Sequence, residues 1–235
     1  MIEWLRIHQL NIMLVLTGIC IVTFFFATFT QAMTKRRKIA LMLIELYSAI
    51  LLISDRLCYQ YRGVMTTEAF YIVRIGNFLV FIMTLGVTHA FNLYISDLIK
   101  TDVKKDKLPV PLKVAEGLII LGELLVIVSQ FTGIYYYFDE FNKYQRGPLY
   151  LVSYIIPFVV LSIQFVLILY YHKYFRPMVS ISLAVFSLVP LLASVIQFFM
   201  YGISFINMSI VGTGVLLYFF ALIDIFKDLF ITTNC

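Results

Sequence analysis

Residues 10–38 read LNIMLVLTGICIVTFFFATFTQAMTKRRK, an apolar run that is followed directly by four basic residues. The apolar part, residues 10–33, exceeds the about 20 residues that a helix needs to cross the hydrocarbon core of a bilayer. A cleaved signal peptide would have its basic residues before a shorter apolar core. The segment therefore predicts a membrane-spanning helix whose basic end lies in the cytoplasm.

The composition of the whole chain agrees with this interpretation. Of its 235 residues, 62% are hydrophobic and 13% are charged, and the mean hydropathy is +0.95. An ordinary soluble domain has about 25% charged residues. A water-soluble enzyme, a nucleic-acid-binding domain and a disordered tail are therefore excluded. The net charge of +5 comes from short basic clusters between apolar runs, a pattern typical of membrane orientation.

Seven apolar runs are long enough to span a bilayer: residues 10–33, 39–59, 69–94, 114–136, 149–171, 178–201 and 206–226. Backbone polar groups must be hydrogen-bonded inside lipid, and these runs are continuous rather than alternating, so we predict helices. The predicted fold is all-α, a polytopic seven-helix bundle over residues 1–226 with a short cytoplasmic tail at 227–235. The connections are too short to hold a folded soluble domain.

The basic residues orient this bundle. Twelve of the 18 Lys and Arg residues fall on the side that holds residues 35–38, and six fall on the other side. Basic residues are retained in the cytoplasm, so we expect the N-terminus outside and the C-terminus inside. The expected location is the bacterial plasma (inner) membrane, with multiple passes.

Polar and aromatic residues gather at the outer helix ends and in the outer loops. We take as candidate ligand-binding residues Asp55, Arg56, Tyr61, Arg62, Arg74, Asn77, Asp139, Glu140, Tyr144 and Arg146. One interpretation is a pocket at the outer mouth, in which arginines bind a carboxylate or phosphate and tyrosines cover an apolar or ring-bearing ligand. The other is an ion-pair network that holds the short loops, with arginines extending to the interface.

A second set of polar residues lies within the spans: Glu45, His89, Glu116, Glu123 and Asp224. The simplest interpretation is one interhelical polar network near the cytoplasmic side. The alternative is a small-solute or ion transporter that uses Glu45, Glu116 and Glu123, of which the last two share a helical face.

No set of residues indicates an enzyme, a metal site or a cofactor. Cys20, Cys58 and Cys235 are too scattered for a disulfide framework or a zinc site, and His89 has no second histidine nearby in sequence. Catalytic residues are therefore not assigned. Pro157 and Pro190 fall inside the fifth and sixth spans, where each predicts a kink.

Four short stretches carry a resemblance to a known family. They are DRLCYQYRG at 55–63, VRIGNFLVF at 73–81, YQRGP at 144–148 and FFMYG at 198–202. Together they resemble the N-terminal seven-helix input region of membrane-bound diguanylate cyclases and related signalling proteins of Firmicutes, over residues 10–224. In such proteins the seventh helix continues into a cytoplasmic output domain, often with a Gly-Gly-Asp/Glu-Glu-Phe motif. This chain contains no Gly-Gly, so we expect an input region whose output domain is lost, truncated or on another chain.

The resemblance and the polar clusters together predict a sensory input module. It would bind an extracellular or membrane-derived ligand at the outer polar pocket, and the seventh helix would relay binding to a cytoplasmic output related to cyclic-di-GMP. Expected partners are the lipid bilayer, a small ligand for which the basic residues favour an anion, a cytoplasmic signalling domain or protein, and a second copy in a homodimer; nucleic acid is not expected. A third interpretation is an assembly protein that docks other subunits.

Overall fold

The structure, a computed structural model, describes residues 2–30, 33–199 and 202–233, and 83% of these described residues are helical. The described residues form seven α-helices: α1 Ile2–Phe29, α2 Lys35–Tyr61, α3 Thr67–Thr101, α4 Val110–Thr132, α5 Tyr150–Tyr171, α6 Pro177–Phe199 and α7 Phe205–Thr233. Between α4 and α5, strands β1 Tyr136–Phe138 and β2 Tyr144–Arg146 pair as an antiparallel hairpin. The predicted all-α class is confirmed, and the hairpin is an addition to it.

Five of the described helices, α1, α3, α5, α6 and α7, are long and apolar enough to cross a membrane. The other two have carboxylates within their apolar stretches, such as Glu45 in α2 and Glu123 in α4. Large apolar side chains point away from the bundle, among them Val15, Phe26 and Val166, which are 63%, 62% and 62% exposed. This combination indicates a membrane protein.

Each helix packs against the next along the chain, and α1, α2 and α7 also contact one another. Consecutive helices therefore alternate in direction between two ends of the bundle. The hairpin end carries the turn at 62–66, the hairpin and the connection before α7. The turn contacts the hairpin, because the backbone N–H of Gly63 donates to the carbonyl of Asn142. The basic end carries residues 33–38, the loop at 102–109 and the connection at 172–176.

Several helix boundaries differ from the prediction. α1 begins at Ile2 rather than residue 10 and ends at Phe29. α4 ends at Thr132 rather than residue 136, because Gly133 takes a left-handed conformation (φ +67°) that closes the helix. α7 continues to Thr233, so residues 227–233 of the predicted tail are helical. The predicted end of the sixth span at residue 201, and Met1, Asn234 and Cys235, lie outside the described residues.

Aromatic side chains fill both ends of the core. Toward the basic end, the rings of Phe91 on α3 and Phe186 on α6 lie 4.0 Å apart, and Tyr94 is buried beside them in the same cluster. At the hairpin end, Phe81 of α3 stacks on Tyr136 of β1 at 5.0 Å. The hairpin is thus packed onto the helices, and its position is fixed relative to α3.

Candidate functional site

The hairpin end contains a cavity of about 150 Å³ between α2, α3, the hairpin, α5 and the start of α7, which we call the polar chamber. Five of the ten candidate residues from the sequence line it: Asp55, Arg62, Asn77, Tyr144 and Arg146. The remaining polar lining comes from Cys58, Tyr59, Tyr150, Tyr154, Gln197, Ser204 and Asn207. The structure therefore brings half of the predicted site together around one space.

Asp55 connects two helices in the wall of this chamber. Its carboxylate is buried and accepts hydrogen bonds from the Ser204 hydroxyl and from the Asn207 side-chain amide, the latter at 2.7 Å. Asp55 lies near the end of α2, whereas Asn207 lies in the first turn of α7. A change in the hydrogen bonds of this carboxylate therefore alters the contact between α2 and α7.

Two arginines give the polar chamber a cationic rim. The side chains of Arg62 and Arg146 are both exposed, and the Arg146 guanidinium lies 4.4 Å from the centre of the Tyr150 ring. Burial raises the pKa of Tyr144 well above its ordinary value, so this phenol stays a neutral hydrogen-bonding group. The lining thus contains two guanidinium groups and one carboxylate, and the carboxylate already accepts hydrogen bonds. This excess of positive charge favours the binding of an anionic group in the chamber.

Arg74, Asp139 and Glu140, also predicted as pocket residues, lie elsewhere at the hairpin end. The Arg74 guanidinium donates to the side-chain oxygen of Asn142 at 2.8 Å and lies 3.4 Å from the centre of the Phe70 ring. These three residues line a separate cavity of about 400 Å³ beside the hairpin turn. The expectation that they belong to the same pocket as Arg62 is not met, because the long Arg74 side chain extends to the hairpin.

Asp139 organises the hairpin turn itself. Its carboxylate accepts hydrogen bonds from the backbone N–H of Lys143 at 2.9 Å, from that of Phe141 at 3.0 Å and from the Gln145 amide at 2.9 Å. These bonds hold the pKa of Asp139 below its ordinary value. We refer to Arg74, Asp139 and Asn142 as the hairpin staple.

The last two candidates, Arg56 and Tyr61, are not among the described residues that line the polar chamber. The Arg56 guanidinium donates to the carbonyl of Leu10 on α1 and to the side chain of Gln60, both at 3.2 Å. The Tyr61 carbonyl accepts the Val64 N–H in the turn after α2. Their contacts hold α1 and this turn in place.

A second cavity of about 100 Å³, the apolar chamber, adjoins the polar chamber toward the centre of the bundle. It lies between α3, α4, α5, α6 and α7, and Pro157 and Pro190 both line it. The two chambers share the lining residues Val80, Phe81, Tyr154, Gln197 and Asn207. The hairpin end thus holds a space that is polar near the hairpin and apolar farther in.

In the part of the chain that the structure describes, the polar residues of the predicted spans do not form one network. The Thr23 hydroxyl donates to the Glu45 carboxylate at 2.7 Å, which joins α1 to α2. At the basic end, Arg176 and Asp224 form an ion pair of 3.1 Å between the start of α6 and α7.

The third group joins α3, α4 and α5. Glu116 lies 3.0 Å from His89 and accepts the Asn92 amide at 2.8 Å, and Gln164 donates to Asn92 at 3.3 Å. Glu123, two turns farther along α4, makes no hydrogen bond or ion pair among the described residues. The predicted single network is thus three groups in the hydrogen bonds and ion pairs of the described residues, and Glu45 and Glu116 of the transporter hypothesis belong to different groups.

Several residues of the polar chamber were not among the candidates taken from the sequence. Ser204 and Asn207 follow Asp55 by about 150 residues of chain, and only the packing of α7 against α2 brings them together. Gln197 and Tyr154 gave a weak signal, since each is a polar group in an apolar run. Their bond, from the Gln197 amide to the Tyr154 hydroxyl at 3.4 Å, marks where the two chambers meet.

Within the described ranges, no group of three or more His, Cys, Asp or Glu residues could hold a metal ion. Cys20 and Cys58 are free thiols. No protein-family model matches the chain, and no curated protein matches it.

Proposed function

We propose that the chain is a seven-span sensory input module of a bacterial plasma membrane. A small ligand with an anionic group binds in the polar chamber, and the bound state is relayed along α7 to a cytoplasmic signalling domain or protein. The resemblance of its helix ends to cyclase input regions favours an output in cyclic-di-GMP signalling. In this proposal the hairpin end faces outward and the basic end faces the cytoplasm, following the distribution of Lys and Arg.

The observation that carries this proposal is the contact of Asp55 with Ser204 and Asn207. The contact makes the start of α7 part of the chamber wall, and α7 is one uninterrupted helix from Phe205 to Thr233. Asn207 and Asp224 are 17 residues apart, roughly 25 Å along the helix. A ligand that prefers one arrangement of the Asp55 contacts would thereby shift the packing at the Arg176–Asp224 pair.

The orientation is tested with single-cysteine variants in intact cells. In a cysteine-free background, Lys143→Cys places a thiol on the hairpin, and Lys104→Cys places one on the loop at the basic end. We expect a membrane-impermeant maleimide to label residue 143 without lysis and residue 104 only after lysis. Labelling of both positions in intact cells would mean that α4 does not cross the membrane, and the seven-span arrangement would fall.

The relay is tested by occupying the polar chamber covalently. Cys58 lines this chamber, so a benzyl methanethiosulfonate adduct at Cys58 serves as a tethered occupant once Cys20 and Cys235 are changed to Ala. Hydrogen–deuterium exchange is then measured in nanodiscs. We expect altered exchange both around the chamber and at the basic end, in residues 176–180 and 222–228.

The control is the same treatment of a variant that also carries Cys58→Ser. It should leave the exchange at both ends unchanged. An adduct at Cys58 that changes exchange only at the hairpin end would show a chamber without a relay, and the proposed function would fall.

A further inference from the structure

The two chambers adjoin a groove between α5 and α6. A groove of about 390 Å³ runs between these helices and is lined by Tyr150, Leu151, Ile155, Phe158, Val195 and Phe199, among others. Tyr154 and Gln197 line this groove and both chambers, and Phe158 and Ser194 line the groove and the apolar chamber. The groove thus shares a wall with the chambers, and a sideways route from the membrane would pass the Tyr154–Gln197 hydrogen bond, between two helices that are each apolar enough to lie in lipid.

The combined space has the polarity of an amphiphile. Arg62 and Arg146 lie at its hairpin end, whereas Leu85, Leu161 and Ile210 line its inner part. Along α5 the lining extends from Tyr150 to Leu161, a distance of roughly 16 Å at about 1.5 Å per residue. The space thus suits one alkyl chain of medium length with an anionic head group.

One tyrosine in the wall of the apolar chamber indicates which polar group the acyl chain of the ligand should contain. Tyr135 lines this chamber and is 1% exposed, and its hydroxyl has no hydrogen-bond partner among the described residues. The hydroxyls of Thr84, Ser153 and Ser194, which also line the chamber, each donate to a carbonyl of their own helix. A buried hydroxyl without a partner costs about 1–3 kcal/mol, and a carbonyl oxygen on the ligand would remove that cost.

We propose that the ligand is a single-chain acyl amphiphile: an anionic head group in the polar chamber, an acyl chain in the apolar chamber, and an ester or amide carbonyl that accepts the hydrogen bond of Tyr135. The ligand enters from the bilayer through the groove between α5 and α6. This inference rests on the proposed function in that it names the ligand class of the same site.

The test measures equilibrium binding to the full chain in phosphatidylcholine nanodiscs. The probe is radiolabelled lysophosphatidylglycerol with a 12-carbon acyl ester, and the competitors are its alkyl-ether analogue and the lysophosphatidylcholine of equal chain length. We expect saturable binding of one probe per chain, with both competitors about tenfold weaker, because the ether lacks the carbonyl and the choline cation offsets the phosphate charge of lysophosphatidylcholine. Equal affinity of all three would overturn the proposal and indicate a non-selective lipid surface.

Variants assign the two recognition elements. Tyr135→Phe should abolish the preference for the ester over the ether, and Ser194→Phe, which fills the apolar chamber, should reduce affinity by about tenfold or more. The matched control is Ser162→Phe on α5, since Ser162 also donates to a carbonyl of its own helix but lines none of the three spaces described above. Retention of the ester preference in Tyr135→Phe would overturn the role of the hydroxyl, even if Ser194→Phe failed to fold.

Failure of this inference is distinguishable from failure of the proposed function. If the probe does not bind but the Cys58 adduct still alters exchange at the basic end, the ligand class is wrong and the relay stands. If the probe binds selectively but neither probe nor adduct alters that exchange, the ligand class stands and the relay is wrong.

Discussion

The hairpin staple and the polar chamber lie at the same end of the molecule and use the same residue types, but their charges have different surroundings. In the staple, Arg74 contacts Asn142 and the Phe70 ring, and Asp139 accepts three N–H bonds within its own turn. In the chamber, the exposed Arg62 and Arg146 border an open space. The staple charges are thus held by neutral groups of the hairpin and α3, whereas the two arginines of the chamber lie where they can also contact a ligand.

The backbone explains why the staple is separate. Asn142 adopts a left-handed conformation (φ +54°), which asparagine tolerates better than most residues. Its side chain is buried, accepts from Arg74 and donates to the carbonyl of Val64 at 3.2 Å. The staple therefore ties the hairpin to the turn between α2 and α3 and leaves the chamber beside it open.

The largest effect on this arrangement is expected from Gly147→Ala. The Gly147 N–H donates to the carbonyl of Tyr135 at 2.8 Å, and a Cβ atom there would overlap the carbonyl oxygens of Gly133 and Ile134. Backbone atoms cannot move aside cheaply, so amide exchange in residues 136–146 should accelerate about 100-fold, equivalent to about 3 kcal/mol.

Gly117→Ala is the control for that variant, because a Cβ on Gly117 of α4 would meet open space. It should leave hairpin exchange unchanged. Hairpin exchange in Gly147→Ala that matches the unmodified protein would show that the hairpin is not anchored through Gly147.

Asn142→Ala should have the next largest effect, confined to the staple. It removes the bonds to Arg74 and to the Val64 carbonyl and places alanine at a positive φ, which together cost about 2 kcal/mol. Amide exchange should accelerate about 30-fold in the hairpin and in residues 62–66. The neighbouring Glu140→Ala, at an exposed position, should change neither.

The same variant also separates the two regions. If the chamber is independent of the staple, the rate at which Cys58 reacts with a methanethiosulfonate should be the same in Asn142→Ala as in the unmodified protein. A strongly altered rate would mean that staple and chamber form one unit.

Much of the fold could be predicted from the sequence, because apolar runs of spanning length are a strong local signal. The hairpin could not, since its strands are three residues long and depend on the Asp139 turn and on packing against Phe81. Arg74 and Asn77 share a helical face, yet Asn77 lines the chamber while Arg74 reaches the hairpin. Side-chain length and tertiary packing decide this, and neither is visible in residue spacing.

The pH dependence of Asp139 distinguishes the staple further. Hydrogen bonds from the Lys143 N–H, the Gln145 amide and the Phe141 N–H hold its pKa below the usual value of about 3.9. The carboxylate therefore stabilises the folded hairpin above that value, and this contribution is lost as the pH falls through the lowered pKa.

Nuclear magnetic resonance checks this in detergent micelles. The amide shifts of Phe141 and Lys143 should titrate with a midpoint below pH 3.9, and Asp139→Asn should remove the titration. A midpoint at or above the usual value would contradict the hydrogen-bonded turn.

The smallest effect on the unfolding free energy is expected from a substitution at the chamber rim. A matched pair of variants measures this effect. Arg62→Gln alters an exposed guanidinium and should change the unfolding free energy by no more than about 0.5 kcal/mol. Arg74→Gln makes the same chemical change in the staple, where it removes the bond to Asn142 and the contact with Phe70, and should cost about 1–2 kcal/mol. Thermal unfolding in micelles compares the two directly. Equal losses would mean that the contacts of Arg62 stabilise the fold as strongly as those of Arg74, and the rim of the chamber would then be part of the scaffold.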